Sequence, residues 1–486
     1  MDIPDVRENI ARARAAVGWV YPELKWLSGK EAVSANRERN ELLGILAGNV
    51  SSSFFGNKIH IGELSPGCSL CGRGHVSCLF INGLCTANCF YCPQDRKIKK
   101  ERLPSSDRMI FDDPREYAAR LEKLNYKGVG FSGGEPLLVF DKLLEYIGTL
   151  RTKFGKKFYL WLYTNGDLAD AYKLKKLGEA GLDEIRFDIS AGKYDLRHAA
   201  AAVGRIKTVT VEIPAIPEDL PILKKCLPDM RKLGIEYLNL HQLTANKNNY
   251  KNYAGRGYTF LHYPDISVFE SEMAALRFMC YAIDRGVGLK ISYCSTMFKS
   301  RLQRKGARQR LGPGVKEAGE ELTRAGYIRR LSVHGSTGQM GAIAAKLRRH
   351  GRGEWALNSG GMELMFNASL LKEINTDKHP VTIRYFEPCL MARNEGELDP
   401  DSSVRPSDVS AGRRLVSQKD GVSALAMECF LELYVERVKE SEVLARLFKR
   451  YDLKTGRSLA DLRADTEGLL ACKEWEFVEA GFPRVY

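Results

Sequence analysis

From residue 76 onward the chain alternates short apolar runs with longer amphipathic stretches. Runs near 78–84, 127–132, 158–163, 184–190, 207–213, 235–241 and 288–294 predict strands. Helix-period patterns fall between them, near 113–124, 138–153, 169–180, 195–204, 218–233 and 266–286. Strands separated by helical stretches of this length build successive βαβ units and a parallel sheet. Seven such units in about 220 residues fit a full or partial barrel better than separate small domains. The strand faces agree. A parallel strand covered on both sides reads as continuously apolar. Here Arg186, Asp188 and Ser190 alternate with Phe187 and Ile189, and Thr208, Thr210 and Glu212 with Val209, Val211 and Ile213. Asn239 and His241 alternate with Leu238 and Leu240, and Ser292 and Cys294 flank Tyr293. Polar faces on successive strands predict a wet interior lined for binding; edge strands facing solvent are the alternative.

Outside this rhythm the pattern changes. Residues 1–60 read as a helical N-terminal segment and 61–295 as the βα core. Residues 296–393 read as a mixed α/β extension, 394–411 as a linker or loop rich in Asp, Ser, Pro and Glu, and 412–486 as helical. The predicted fold class is α/β, a partial (β/α) TIM-type barrel with these flanks.

Composition narrows the function. With 44% hydrophobic and 28% charged residues among 486, the chain reads as an ordinary globular protein. No stretch approaches the length of a membrane span, and the N-terminus lacks the basic-then-apolar order of a secretory signal, so a cytoplasmic location is expected. The formal charge of +14 favours an anionic partner such as nucleic acid, a phosphorylated metabolite or an acidic protein surface, but a solvated lysine-rich exterior would give the same number. Of twelve cysteines, half lie between 68 and 92, which suits metal binding in a reducing compartment rather than a disulfide framework.

Cys85, Cys89 and Cys92 stand four and then three residues apart, after an apolar run and before Pro93. Such spacing also occurs on one helix face, where cysteine is a common core residue. The flanking residues are poor helix formers, and three thiols on a strand-to-helix loop have little packing purpose. Structural zinc wants four ligands. Three thiolates can instead each take one iron of a cubane, leaving a corner open for a small molecule. Upstream, Cys68, Cys71, His75 and Cys78 could hold zinc or one side of an auxiliary iron-sulfur centre, with Cys294 or Cys389 completing it. Gly133-Gly134-Glu135-Pro136 follows the second strand, where glycines would let a ligand lie against the backbone.

Together, the Cys85-x3-Cys89-x2-Cys92 spacing, Tyr91 before the last cysteine, and Gly133-Gly134-Glu135-Pro136 resemble the radical S-adenosylmethionine (radical SAM) superfamily. The resemblance covers residues 76 to 294. The wording around both motifs is most similar to uncharacterised proteins related to pyruvate formate-lyase activating enzymes. It implies a [4Fe-4S] cluster on the three cysteines and S-adenosylmethionine on the open iron, its amino group held by Gly133, Gly134 and Glu135. Asn165 and, on the fourth strand, Asp188 and Ser190 would add cofactor contacts. The implied chemistry is reductive cleavage of S-adenosylmethionine to a 5′-deoxyadenosyl radical that abstracts hydrogen, with an electron donor such as ferredoxin or flavodoxin. His241 and Cys294 are the candidate catalytic residues. The substrate expected is a macromolecule, RNA or protein, including installation of a glycyl radical. A non-catalytic metal or nucleic-acid binding protein is the competing class. Residues 246–264, with Asn246, Lys247, Tyr250, Lys251, Tyr253, Arg256, Tyr258 and Phe260, could stack on bases, clamp a peptide or pack as a structured loop.

Overall fold

A computed structural model describes residues 6–94, 103–253, 255–263, 265–351, 353–374, 379–392, 396–397, 404–451, 462, 465–479 and 481. Two compact units emerge, one built mainly from residues 1–304 and one mainly from 305–479.

The first unit carries seven parallel strands: β1 (Val76–Asn82), β2 (Gly128–Gly133), β3 (Tyr159–Thr164), β4 (Glu184–Phe187), β5 (Thr208–Pro214), β6 (Tyr237–His241) and β7 (Lys290–Cys294). They pair in sequence order. Six helices make the crossovers: α1 (Pro114–Lys123), α2 (Phe140–Phe154), α3 (Ala171–Glu179), α4 (Arg197–Ala202), α5 (Leu220–Lys232) and α6 (Phe269–Arg285). Their ends follow local chemistry. Asp113 and Asp170 cap α1 and α3 through backbone N–H groups, and Gly286, at φ 59°, ends α6 in the left-handed region. Antiparallel strands Lys58–Ile61 and Ser51–Ser53 extend the sheet beyond β7, and Ser105–Ser106 and Met109–Ile110 extend it beyond β1, giving an open eleven-stranded sheet among the described residues. This is the mixed α/β, partial-barrel class expected.

Alternation divides the strands. Leu160, Leu162, Ile185, Phe187, Val209, Val211, Leu238 and Leu240 are buried on one face. Glu184, Arg186, Thr210, Glu212, Asn239, Ser292 and Cys294 occupy the other, which we call the lumen face. A short helix, Pro66–Gly72, lies against that face: a Cβ on Gly67 would fall 2.3 Å from Arg186 Nη2.

The second unit is an antiparallel sheet whose longest partners are Val381–Ala392 and Val409–Val422. Its core includes Leu331, Val333, Phe366, Ile383, Tyr385 and Met427. The strand Val409–Val422 departs from the expected loop and helix at that position. Part of the expected linker, 394–395 and 398–403, lies outside the described residues. No described helix is long and apolar enough to cross a membrane.

Candidate active site

β1 ends at Asn82, and the three cysteines follow in irregular chain rather than helix. Cys85 is exposed, Cys89 and Cys92 are half-buried, and none forms a disulfide. The Gly133–Glu135 turn is bonded directly to the entry of this loop. Gly134 N–H donates to Asn82 O and Glu135 N–H to Leu84 O, both at 2.7 Å. This approach leaves no room for side chains. A Cβ on Gly133 would lie 2.2 Å from Asn82 O, and one on Gly134 1.9 Å from Leu84 O. Gly133 also sits at φ 125°. The glycines therefore admit the close approach of the protein's own backbone.

Glu135 is only 1% exposed. Its carboxylate accepts Leu137 N–H (3.0 Å), Thr164 Oγ1 (2.8 Å) and Asn165 N–H (2.9 Å). Burial raises this carboxyl above its usual range, and the three hydrogen bonds pull it back. Asn165 then closes the ring, its side-chain amide donating to Thr86 Oγ1 at 2.8 Å and reaching Cys85 Sγ at 3.8 Å. Cysteine loop, Gly-Gly-Glu turn and the end of β3 are one hydrogen-bonded body.

Asp188 and Ser190 also meet the loop, but from a turn. β4 stops at Phe187, and Tyr194 N–H closes back on Ile189 O. The expected strand to residue 190 ends early because turn bonds begin at Asp188, whose carbonyl accepts from Ala191 N–H, with Ile189 O accepting from Gly192 N–H. Tyr91 hydroxyl lies 2.8 Å from Asp188 Oδ2 and 2.6 Å from Ser190 Oγ, which donates to Asp188 Oδ1.

Deeper in the lumen lies a buried ion network. Arg186 bonds Glu212 at 2.6 Å and Glu184 at 2.9 Å, and His241 Nε2 sits 2.7 Å from Glu212 Oε1. Arg186, with His241 beside it, holds Glu212 below the usual carboxylate range despite burial. Burial, aided by Lys299 and Lys58, draws His241 down to about 4 against the pull of Glu212. His241 is thus a neutral imidazole at pH 7. Cys294 accepts from Lys58 Nζ at 2.5 Å, and its thiol lies 3.5 Å from Asn239 Oδ1.

The upstream ligand group is spread over several elements, yet its thiols lie within electrostatic reach of one another, Cys71 interacting with Cys68, Cys78 and Cys294. Cys68 and Cys71 lie on the Pro66–Gly72 helix, Cys78 on β1, and His75 in the exposed turn between them. Burial raises the Cys68 thiol, and raises Cys71 to about 11. Among the described residues no three His, Cys, Asp or Glu side chains converge to hold a single metal ion, the downstream triplet included. A cubane makes no such demand, because each cysteine takes a different iron. Three unpaired thiols on one loop are the donor set that cluster needs, with burial keeping Cys89 near 11 until a metal displaces its proton.

The segment after β6 packs down on the cysteine loop. Arg256 lies 3.6 Å over the Phe90 ring and pairs with Glu218, and Lys251 stacks on Trp19 and Tyr250. Its aromatic and basic groups are engaged within the protein. Asn248, Asn249 and Asn252, absent from the sequence-predicted site residues, turn their amides to the cysteine loop's carbonyls. Their only signal was the local density of asparagine.

Comparison with known proteins accords with this geometry. Residues 79–200 match the family described as the radical SAM superfamily. A Methanocaldococcus jannaschii protein, provisionally named as a glycyl-radical enzyme activating enzyme, is 30% identical over 282 residues, covering 55% of this chain and 73% of the relative.

This chain belongs to the radical SAM superfamily.

It is therefore an enzyme of the radical SAM class, and the family implies a [4Fe-4S] cluster and S-adenosylmethionine. The matched span holds the cysteine loop, the Gly-Gly-Glu turn, Asn165, Asp188 and Ser190, and ends before the lumen residues of β5 to β7.

Proposed function

We propose that this radical SAM enzyme activates a partner protein by creating a glycyl radical in it, receiving its electron from a ferredoxin- or flavodoxin-type donor. The observation that carries the reading is the single hydrogen-bonded body formed by the cysteine loop, residues 133–135 and Asn165 above a polar lumen. Cys85, Cys89 and Cys92 would each bind one iron. When bound, the cluster and S-adenosylmethionine would supply one-electron cleavage of the sulfonium C–S bond, giving methionine and a 5′-deoxyadenosyl radical that takes hydrogen from the substrate. Glu135 acts through the frame it ties together, fixing Asn165 and the turn. Tyr91, Asp188 and Ser190 offer polar atoms beside Cys89. Neutral His241 and the Lys58-bound Cys294 line the lumen. The relative's name favours a protein substrate, and the internal pairing of Arg256 and Lys251 speaks against the loop as an RNA platform.

The test is anaerobic reconstitution with iron and sulfide, reduction, and assay of 5′-deoxyadenosine. A fully clustered protein that forms none overturns the reading. Incubation with candidate partner proteins should then produce the doublet electron paramagnetic resonance signal of a glycyl radical. Hydrogen transfer from an RNA substrate instead would replace the activase assignment.

A further inference from the structure

Irregular backbone carries carbonyls that no helix or sheet satisfies, and something must take them. In the cysteine loop that something is a row of asparagines more than 150 residues away in sequence. Asn252 Nδ2 donates to Phe90 O at 3.0 Å, and Asn249 Nδ2 to Tyr91 O at 2.9 Å. Asn246 and Asn248 both donate to Pro93 O at 2.9 Å. These carbonyls flank Cys92 on both sides.

The row is itself braced. Asn249 also donates to Thr244 O and accepts from Asn246 N–H, Asn248 N–H donates to Asn246 Oδ1, and Tyr253 hydroxyl ties to Thr244 O. Asn249 is wholly buried. Above it the N-terminal residues Ala13, Val17, Val20 and Leu24 share an apolar cluster with Leu243, Tyr250, Tyr253 and Phe260, against which Phe90 and Tyr91 pack.

We propose that Asn246, Asn248, Asn249 and Asn252 are positioning residues that hold the Cys89–Cys92 half of the loop in cluster-binding shape. The inference rests on the reading that these cysteines bind the cluster. Each trans peptide that gives its carbonyl to an asparagine sends its N–H the opposite way, so the row sets the orientation of the peptides around Cys92. Hydrogen bonds around cluster sulfurs are one of the levers on cluster potential. The row therefore governs both how firmly iron is held and at what potential it accepts an electron.

Aspartate is the probing substitution, because it keeps the shape of asparagine and removes the donor. Asn246, Asn248 and Asn252 are half-buried or exposed, so their replacement spares the core. Iron loss to a chelator is measured for the reconstituted wild type, for the N246D/N248D/N252D variant and for N252Q, which keeps an amide. The triple variant should lose iron about tenfold faster, with a shifted midpoint potential and an altered resonance spectrum of the reduced cluster, while N252Q stays near wild type. In iron-free protein, alkylation of Cys92 should rise about tenfold in the triple variant while Cys226 is unchanged. Wild-type iron loss, potential and Cys92 alkylation in the triple variant would overturn the proposal. Failure of the wild type to assemble any cluster would remove the cluster reading, and the iron-free alkylation rates alone would then decide whether the asparagines hold the loop.

Discussion

The upper end of the sheet and its lumen solve the problem of buried polarity in opposite ways. At the upper end, around Cys85–Cys92 and Gly133–Asn165, neutral donors do the work: backbone N–H groups, hydroxyls and asparagine amides satisfy the loop carbonyls and the Glu135 and Asp188 carboxyl groups. In the lumen, charge answers charge through Glu184–Arg186–Glu212, while the Lys58 ammonium donates to Cys294 Sγ. Neutral hydrogen bonds are individually modest and depend on geometry, so they confer shape. A buried ion network adds little net stability but makes removal of any member costly. The lumen should govern whether the barrel stands, and the upper end whether the cysteines are correctly placed.

The largest expected effect tests the lumen. Arg186→Met leaves Glu184 and Glu212 buried without their cation and should lower unfolding free energy by about 3–5 kcal/mol in denaturant titration. A near-wild-type midpoint would break the comparison. Next, Gly134→Ala forces a Cβ into Leu84 O and should cost about 1–3 kcal/mol. Its sharper mark should be reduced iron incorporation at temperatures where the barrel remains folded; equal losses of iron and fold would erase the division.

Third is a pH effect. His241 has a folded value of about 4 against 6.5 unfolded, so between these the unfolded chain binds the extra proton. Stability from this residue is present above pH 6.5 and is lost as pH falls toward 4, on the order of 3 kcal/mol. Glu212, held low, adds loss in the same direction below the ordinary carboxylate range. His241→Gln should flatten the upper part of that slope in melts taken across the window, and an unchanged slope would remove His241 from the network. The smallest effect belongs to the upper end: Glu135→Gln keeps one acceptor but sets an amide against donors, costing about 1 kcal/mol. Spectroscopic change in the reconstituted cluster should exceed what that loss suggests, and an unaltered spectrum would make Glu135 a fold residue only.

The barrel was legible because burial imposes periodicity. Seven strands and six helices lie within a few residues of their apolar patterns, and the alternation of Thr210, Glu212, Asn239 and Ser292 identified the lumen face. The two motifs drew the eye to Cys85–Cys92 and Gly133–Glu135. What the pattern could not carry was partnership. Glu135 turned inward to Thr164 and Asn165, and Ser190 fell past the strand end. In the segment 246–264 the aromatic and basic residues stand out in sequence, but Arg256 and Lys251 have Phe90, Glu218 and Trp19 as partners. Hydrogen bonds between residues 153 to 162 positions apart leave no local periodicity. Cys68, Cys71 and Cys78 are close in sequence but sit on a helix and a strand, and sequence proximity could not show that Cys294, more than 200 residues on, comes within electrostatic reach of Cys68 and Cys71.

The asparagine row also has a consequence in time. Asn252 lies 162 residues after the carbonyl it binds. At ordinary synthesis rates that interval lasts roughly ten to thirty seconds. Throughout it a nascent chain displays three thiols whose brace has not yet been made. On the proposed role of the row, metal loading should follow translation of the sixth strand and its loop, and an oxidant should reach the cysteines most easily before then.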